Sequence, residues 1–354
     1  MRGISVYLAE QPIHQIESYI RKVRKHGFQS IFTSLHIPED DHSYYRKRLI
    51  DLGELAKSIN MELVADISKT SLKKLGLTVK TANELCQWGL TGLRIDYGIN
   101  AEEIVELSTF MKIALNASTI NHLSLEKLVN AGLSLSSVEG WHNFYPRPET
   151  GLDREEFHEK NNWLNMKGIS VMAFIPGDEQ LRGPLFSRLP TLEDHRNMSP
   201  FSAYLQLKDM LVDKVLVGDK TISDFALKQF SAFNEGMIIL RAKPYTENID
   251  LLQFVSAIHT NRLDLARDCI RSVESRNYAQ IGTRDLSPFH TVERPLGAIT
   301  VDNENYGRYK GELQITKRSL QADKKVNVIG QIVEEDIPLI PFIKGGKQFQ
   351  IEWV

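Results

Sequence analysis

The sequence predicts an α/β protein: a (β/α)8 TIM barrel over residues 1–235, followed by a small, mainly antiparallel β-barrel domain over residues 236–354. Three observations carry that expectation. Eight strand-like segments alternate with helix-like segments through the first 235 residues, more than an open doubly wound sheet usually has, and no glycine-rich turn follows the first of them. Polar side chains gather at the carboxyl ends of those strands, the rim at which barrel enzymes place their sites. Around 235–245 helical periodicity gives way to short strands separated by turn residues.

In chain order, strands are expected at 3–9, 30–36, 62–67, 92–96, 112–117, 137–145, 168–175 and 214–217. After the first, Ile13, Ile16, Ile20 and Val23 recur every three or four residues, the spacing of one helical face, and Gly27 stops the run. Asn100 with Glu103 three residues later reads as a capping box, and Thr221 as the cap of the helix after the eighth strand. The second domain should hold a short helix at 263–273 and strands at 297–301, 303–307, 311–316, 326–333 and 349–354, with Gly345-Gly346 as a hairpin turn.

Composition narrows the function classes. Hydrophobic residues make up 42% and charged residues 25%, the balance of an ordinary soluble protein with room for one large and one smaller core. Lys and Arg total 43 against 45 Asp and Glu, so nothing draws the chain to nucleic acid or an anionic membrane, and any anion site must be local. Cys86 and Cys269 offer neither a disulfide framework nor zinc spacing, and a reducing cytoplasm is expected. There is no signal-type apolar core, no membrane-length run, no GxGxxG, no Walker loop and no HExxH pair, so no cofactor and no metal are expected.

Side-chain alternation assigns faces within the strands. Phe32, Ser34 and His36 share one face of the second strand; Arg94 and Asp96 point inward from the fourth, and Ala114, Asn116 and Ser118 from the fifth. Asp66 and Ser68 share a face at the end of the third. His36, Asp66, Asp96, Asn116 and His142 therefore converge from five strands, although a polar group at a strand end also serves simply to cap the next helix. After the seventh strand, residues 176–200 form a long loop rich in Gly, Pro and charge, a lid or wall over the same rim with Arg182, Arg188, His195 and Arg196 available to an anion.

The sixth strand runs into SVEGWHNFYPRPETG, residues 137–151, where His142, Asn143, Tyr145 and Arg147 are polar groups suited to a ligand and Pro146 and Pro148 stiffen the exit. The string HNFYPRPETGL, together with the later ITVDNENYGRYKGELQI, resembles the 6-phospho-N-acetylmuramidase family, and the resemblance runs the full length of the chain. It implies a cyclophilin-like fold for the second domain, where Arg284, Arg294, Tyr306, Arg308 and Lys310 could add positive charge to the substrate site. It implies a cytoplasmic glycosidase that splits N-acetylmuramic acid 6-phosphate from N-acetylglucosamine during cell-wall recycling. The partner expected is that phosphorylated amino-sugar disaccharide; an oligomer is compatible with the sequence. A non-catalytic sugar-phosphate sensor is the alternative.

Glycoside hydrolysis needs a proton donor and a group that stabilises positive charge at the anomeric carbon, normally two carboxyls. Asp66, Asp96 and Glu10 are the catalytic candidates. Arg94, two residues before Asp96 on the same face, suits Asp96 to the charged role and leaves Asp66 or Glu10 as donor. An N-acetyl oxygen of the substrate acting as internal nucleophile stays open beside these. His36, Arg94, Asn116, His142, Asn143, Tyr145, Arg147, Arg182 and Arg284 are the substrate-binding candidates, with Arg147, Arg182 or Arg284 expected to meet the phosphate.

Overall fold

The computed structural model describes residues 1–10, 12–35, 45–278 and 286–354. Two compact units divide it, Met1–Leu227 and Lys228–Val354. In the first, eight parallel strands close in sequence order: β1 (Arg2–Ser5), β2 (Ser30–Ser34), β3 (Glu62–Ile67), β4 (Gly92–Ile95), β5 (Lys112–Asn116), β6 (Val138–Trp141), β7 (Ser170–Ile175) and β8 (Lys214–Val217). β8 pairs back onto β1 through Gly3 and Leu216, which completes the (β/α)8 barrel.

Helices form where the sequence supplies a face and a stop. Helix Ile13–Lys25 buries Ile13, Ile20 and Val23, and Gly27 ends the turn at φ 87°, a conformation that suits a residue without Cβ. The Asn100–Glu103 capping box forms as expected, each side chain accepting the other residue's backbone N–H at 2.9 Å. The helix after β8, Asp224–Asn234, is begun by Ser223, whose Oγ accepts from Ala226 N at 3.2 Å; Thr221 instead takes the N–H of Gln180 in a neighbouring loop.

Barrel strands feed alternate side chains into the lumen, and here that yields three levels. Phe32, Val64, Ala114, Trp141, Met172, Phe174 and Leu216 fill the middle, with Phe32 5.5 Å from Phe174 and 5.9 Å from Trp141 between ring centroids. Each large side chain removed from water there contributes on the order of 2 kcal/mol. Below lies a floor of charge. Lys214 Nζ reaches Glu62 at 2.9 Å and Glu139 at 2.7 Å, Lys112 Nζ reaches Glu62 at 2.9 Å, and Trp141 Nε1 donates to Glu139 at 2.7 Å. Burial alone would push the Glu62 carboxyl up, but Lys214 and Lys112 together bring it below the ordinary value. The third level, at the carboxyl ends, is the candidate site.

The second unit is a seven-stranded sheet, β9 (Met237–Pro244), β10 (Ile258–Thr260), β11 (Cys269–Arg271), β12 (Ala298–Asp302), β13 (Leu313–Thr316), β14 (Val326–Ile332) and β15 (Gln348–Trp353), in the order β10-β15-β9-β14-β12-β13-β11. It is antiparallel except for β9 and β15. One bridge between Asn261 and Ser272 ties the residues following the two edge strands, so the sheet is nearly closed. Three expectations change. Residues 263–273 hold β11 rather than a helix, because helices Ile249–Val255 and Val273–Tyr278 flank that stretch. Residues 303–307 enter a 3-10 turn, Glu304–Tyr309, capped by Asn303. Gly345-Gly346 turns the chain into β15 from a 3-10 helix, Glu334–Phe342, rather than from a strand, so no hairpin forms there.

Candidate active site

The carboxyl-terminal mouth of the barrel holds an open cavity of about 300 Å³ lined by Phe32, Ser34, Asp66, Arg94, Asp96, Asn143, Phe144, Phe174 and Arg182. The last residue of β2, Asp66 of β3, Arg94 of β4 with Asp96 just past it, and the segment after β6 thus share one space, as alternation along closed strands requires. Arg94 organises it. Its side chain is almost fully buried, with Nη1 donating to Asp66 Oδ1 at 3.0 Å and Nη2 to Asn143 Oδ1, while Nε finds no partner among the described residues.

This pairing departs from the sequence expectation. Arg94 meets Asp66, not Asp96, because Asp66 and Arg94 are register partners on neighbouring strands, and lateral neighbours lie closer than residues two apart on one strand. Asp96 is exposed at the end of β4, lines the cavity, and its side chain forms no hydrogen bond or ion pair among the described residues. The third carboxylate, Glu10, lies apart from these two. It lines a second pocket of about 160 Å³ with Tyr7, Tyr19, Gln180 and Lys220, where it is in contact with Lys220 Nζ and 4.0 Å from Arg182 Nε.

The remaining candidates divide. Asn143 and Arg182 reach the cavity. Tyr145, half-buried, extends its hydroxyl toward Ser118 Oγ at 3.5 Å. Arg147 is exposed beyond the cavity lining, and Asn116 spends its Oδ1 on the N–H of Ser118 in a local turn. His36 and Arg284 lie outside the described residues. His142 is a correction: it is 1% exposed and faces helix Arg154–Met166, with Nε2 2.8 Å from Asn161 Oδ1, Nδ1 3.2 Å from Ser118 Oγ, and its ring against Phe157. Trp141 takes the lumen, so alternation sends His142 outward. Burial pushes its imidazole down to about 4, which leaves it a neutral core residue.

The 176–200 loop is a fixed wall. Arg196 donates to Glu193 at 2.6 and 2.7 Å and to the carbonyls of Ser187, Arg188, Tyr145 and Arg147, so its guanidinium is spent on structure. Glu193, held down to about 2 by Arg196, also accepts the N–H groups of Glu149 and Gly151. Arg188 is turned to the carbonyls of Arg196 and Met198, and His195 is buried against Gln206, pushed down to about 4 by desolvation. Arg196 and His195 are thus not available to an anion, contrary to expectation, and Arg188 has its Nη1 committed to the loop backbone. Asp219, fully buried after β8, accepts the N–H groups of Gly177, Arg182 and Leu189 at 2.8–3.0 Å. Gly218 permits that approach: a Cβ there would sit 2.2 Å from the Leu189 carbonyl oxygen.

Sequence reasoning missed Tyr7, Phe144, Phe174, Asp219 and Lys220. Phe144 sits inside the HNFY string and Lys220 directly behind β8, so position was a signal for both; Tyr7 and Asp219 read as ordinary strand-end residues. In the second unit, Arg294 donates to the Gln321 carbonyl, Arg308 to the Tyr309 hydroxyl, and Lys325 lies over the Tyr306 ring. Among the described residues no three His, Cys, Asp or Glu side chains gather as a metal site, and no helix is long and apolar enough to cross a membrane.

Comparison with known proteins covers nearly all of the chain. Residues 2–232 match the profile described as 6-phospho-N-acetylmuramidase, N-terminal, and residues 238–352 the one described as 6-phospho-N-acetylmuramidase, C-terminal. A crystal structure of a conserved protein of unknown function from Enterococcus faecalis is similar at 42% identity and a TM-score of 0.90, covering 100% of this chain and 96% of that one. An uncharacterized B. cereus protein is similar at 27% identity and a TM-score of 0.75, covering 99% of each. No curated protein matches the chain.

Proposed function

The chain belongs to the 6-phospho-N-acetylmuramidase family of glycosidases, and from that premise we propose that it hydrolyses the bond joining N-acetylmuramic acid 6-phosphate to N-acetylglucosamine, in the cytoplasm, during cell-wall recycling. The observation that carries this reading is the pair of carboxylates, Asp66 and Asp96, on adjacent strands in one cavity at the rim where barrel enzymes work. Arg94 sets a full positive charge 3.0 Å from Asp66, so Asp66 suits the part that needs an anion: stabilising charge at the anomeric carbon, or orienting the N-acetyl group if its oxygen attacks. Asp96, without a cation at its side among the described residues, is the group placed to give its proton to the departing glycosidic oxygen. Water supplies the hydroxyl that ends on the anomeric carbon, and its remaining proton restores the donor.

Phe32, Phe144 and Phe174 give the sugar rings an apolar wall beside these polar groups. Incubation with the 6-phosphorylated disaccharide should release N-acetylglucosamine, and Asp96→Asn should remove most of that release, at a cost of about two orders of magnitude or more in kcat. Tight binding of the disaccharide with no release by the unaltered protein would instead mark a sensor.

A further inference from the structure

Two cations stand on the side of the barrel mouth opposite Asp66 and Asp96. Arg182 comes from the loop after β7 and Lys220 from the loop after β8, whereas the carboxylates come from β3 and β4, about half the closed ring away. The two loops are laced together. Lys220 N donates to the Gln180 carbonyl at 3.1 Å, Gln180 N to Thr221 Oγ1 at 3.0 Å, and Arg182 N to Asp219 at 3.0 Å. Their backbones therefore stand fixed before any ligand arrives, the condition under which a charged contact loses least to ordering.

The side chain of Arg182 is equally constrained. Its guanidinium carbon lies 3.8 Å over the Tyr7 ring and 5.8 Å from that of Phe144, so aromatic surface fixes the plane while the side chain lines the main cavity. Its carboxylate neighbour, Glu10, stands at 4.0 Å, beyond hydrogen-bond reach, and is in contact with Lys220 instead. Among the described residues the two cations thus flank the one carboxylate of Glu10, while Asp219 beneath them is turned to backbone N–H groups.

We propose that Arg182 and Lys220 are the specificity pair that receives the substrate's phosphate, and that Glu10 is a resident anion rather than a catalytic carboxyl. This rests on the glycosidase reading above and deepens it. A phosphate monoester carries close to two negative charges at neutral pH, which matches two cations better than a single carboxylate does, and the loops after strands 7 and 8 are where barrels commonly seat phosphate. The dianion takes Arg182 outright and competes with Glu10 for Lys220. Seated there, the phosphate acts as a handle on one wall while the glycosidic bond faces Asp66 and Asp96 on the other.

Calorimetry on the full chain tests this without turnover, using N-acetylglucosamine 6-phosphate, which has the phosphate and no lactyl carboxylate, against N-acetylmuramic acid, which has the reverse. The unaltered protein should favour the phosphate by about 100-fold. Arg182→Met and Lys220→Met should each erase at least tenfold of that preference, while Glu10→Gln should tighten phosphate binding several-fold. An unaltered preference in both Met variants, or none in the parent protein, overturns the inference. A loss confined to N-acetylmuramic acid would overturn it too, by assigning the pair to the lactyl group. Failure to hydrolyse the disaccharide defeats only the glycosidase reading, since these binding results stand apart from it.

Discussion

At the floor of the barrel, Glu62, Lys112, Glu139 and Lys214 meet across the lumen, two charges of each sign, with Trp141 donating a further bond. At the rim, Asp66, Arg94 and Asn143 also form a bonded set, yet among the described residues Arg94 Nε is buried without a partner, Asp96 stands alone, and Arg182 and Lys220 both flank Glu10. Both ends set acidic against basic side chains within one barrel. The floor satisfies its charges internally and has nothing left for a ligand; the rim keeps donors and acceptors in reserve. Function here is marked less by the presence of charge than by incomplete pairing.

The largest test removes one member of the floor. Lys214→Met leaves Glu62 and Glu139 facing each other in a nearly dry lumen with only the more exposed Lys112 between them, and should cost about 3–5 kcal/mol of stability in chemical denaturation while kcat stays within a factor of two or so. A collapse of kcat in folded protein would erase the distinction between the two ends. Asp66→Asn should weigh the other way: a loss of about 100-fold in kcat, with a smaller loss of stability than at the floor because the amide oxygen still accepts from Arg94 although the guanidinium loses its counter-charge.

Acid titration separates the levels in a third way. Behind the rim, His142 and His195 are pushed down to about 4 by burial, below the 6.5 of an exposed imidazole, so the unfolded chain takes up protons first. Stability should fall as pH drops from 6.5 towards 4, by roughly 1–3 kcal/mol for each histidine. Glu62 at the floor is lowered from 4.5, so its contribution is kept above that value and lost only below it. Melting temperature measured against pH should therefore show the histidine window first, and a flat profile between 6.5 and 4.5 would contradict their burial. The smallest effect belongs to Asn116→Ala. Its side chain is committed to Ser118 outside the cavity lining, and kcat/KM should change by less than about twofold.

Much of this was legible in the residues. The alternation that placed Phe32, Ser34, Asp66, Arg94 and Asp96 on inward faces holds, because period 2 is fixed by the pleat. What escaped was lateral. Asp66 meets Arg94 through strand register, and register is a property of two strands that neither sequence states alone. His142 was misread because a barrel strand is buried on both faces, so Trp141 and His142 give no hydrophobic contrast to set the phase. The floor was missed for a related reason: its four charges are far apart in sequence and meet only once the ring is closed. A charged residue near the start of four strands was the available sign.

The second unit carries a different consequence in the bridge between Asn261 and Ser272. Strands β10 and β11 end the ladder order, and an open edge is a template on which another copy of the chain can add a strand. Asn261 reaches across that gap with one bond, its side-chain oxygen accepting from Arg271 N at 3.2 Å, while its amide holds the Ile343 carbonyl and its own carbonyl accepts from Gly346 N, both at 2.8 Å, on the β15 side. A buried asparagine thus stands where the two ends of the ladder meet, so that the chain itself occupies part of an edge that a second copy would otherwise use.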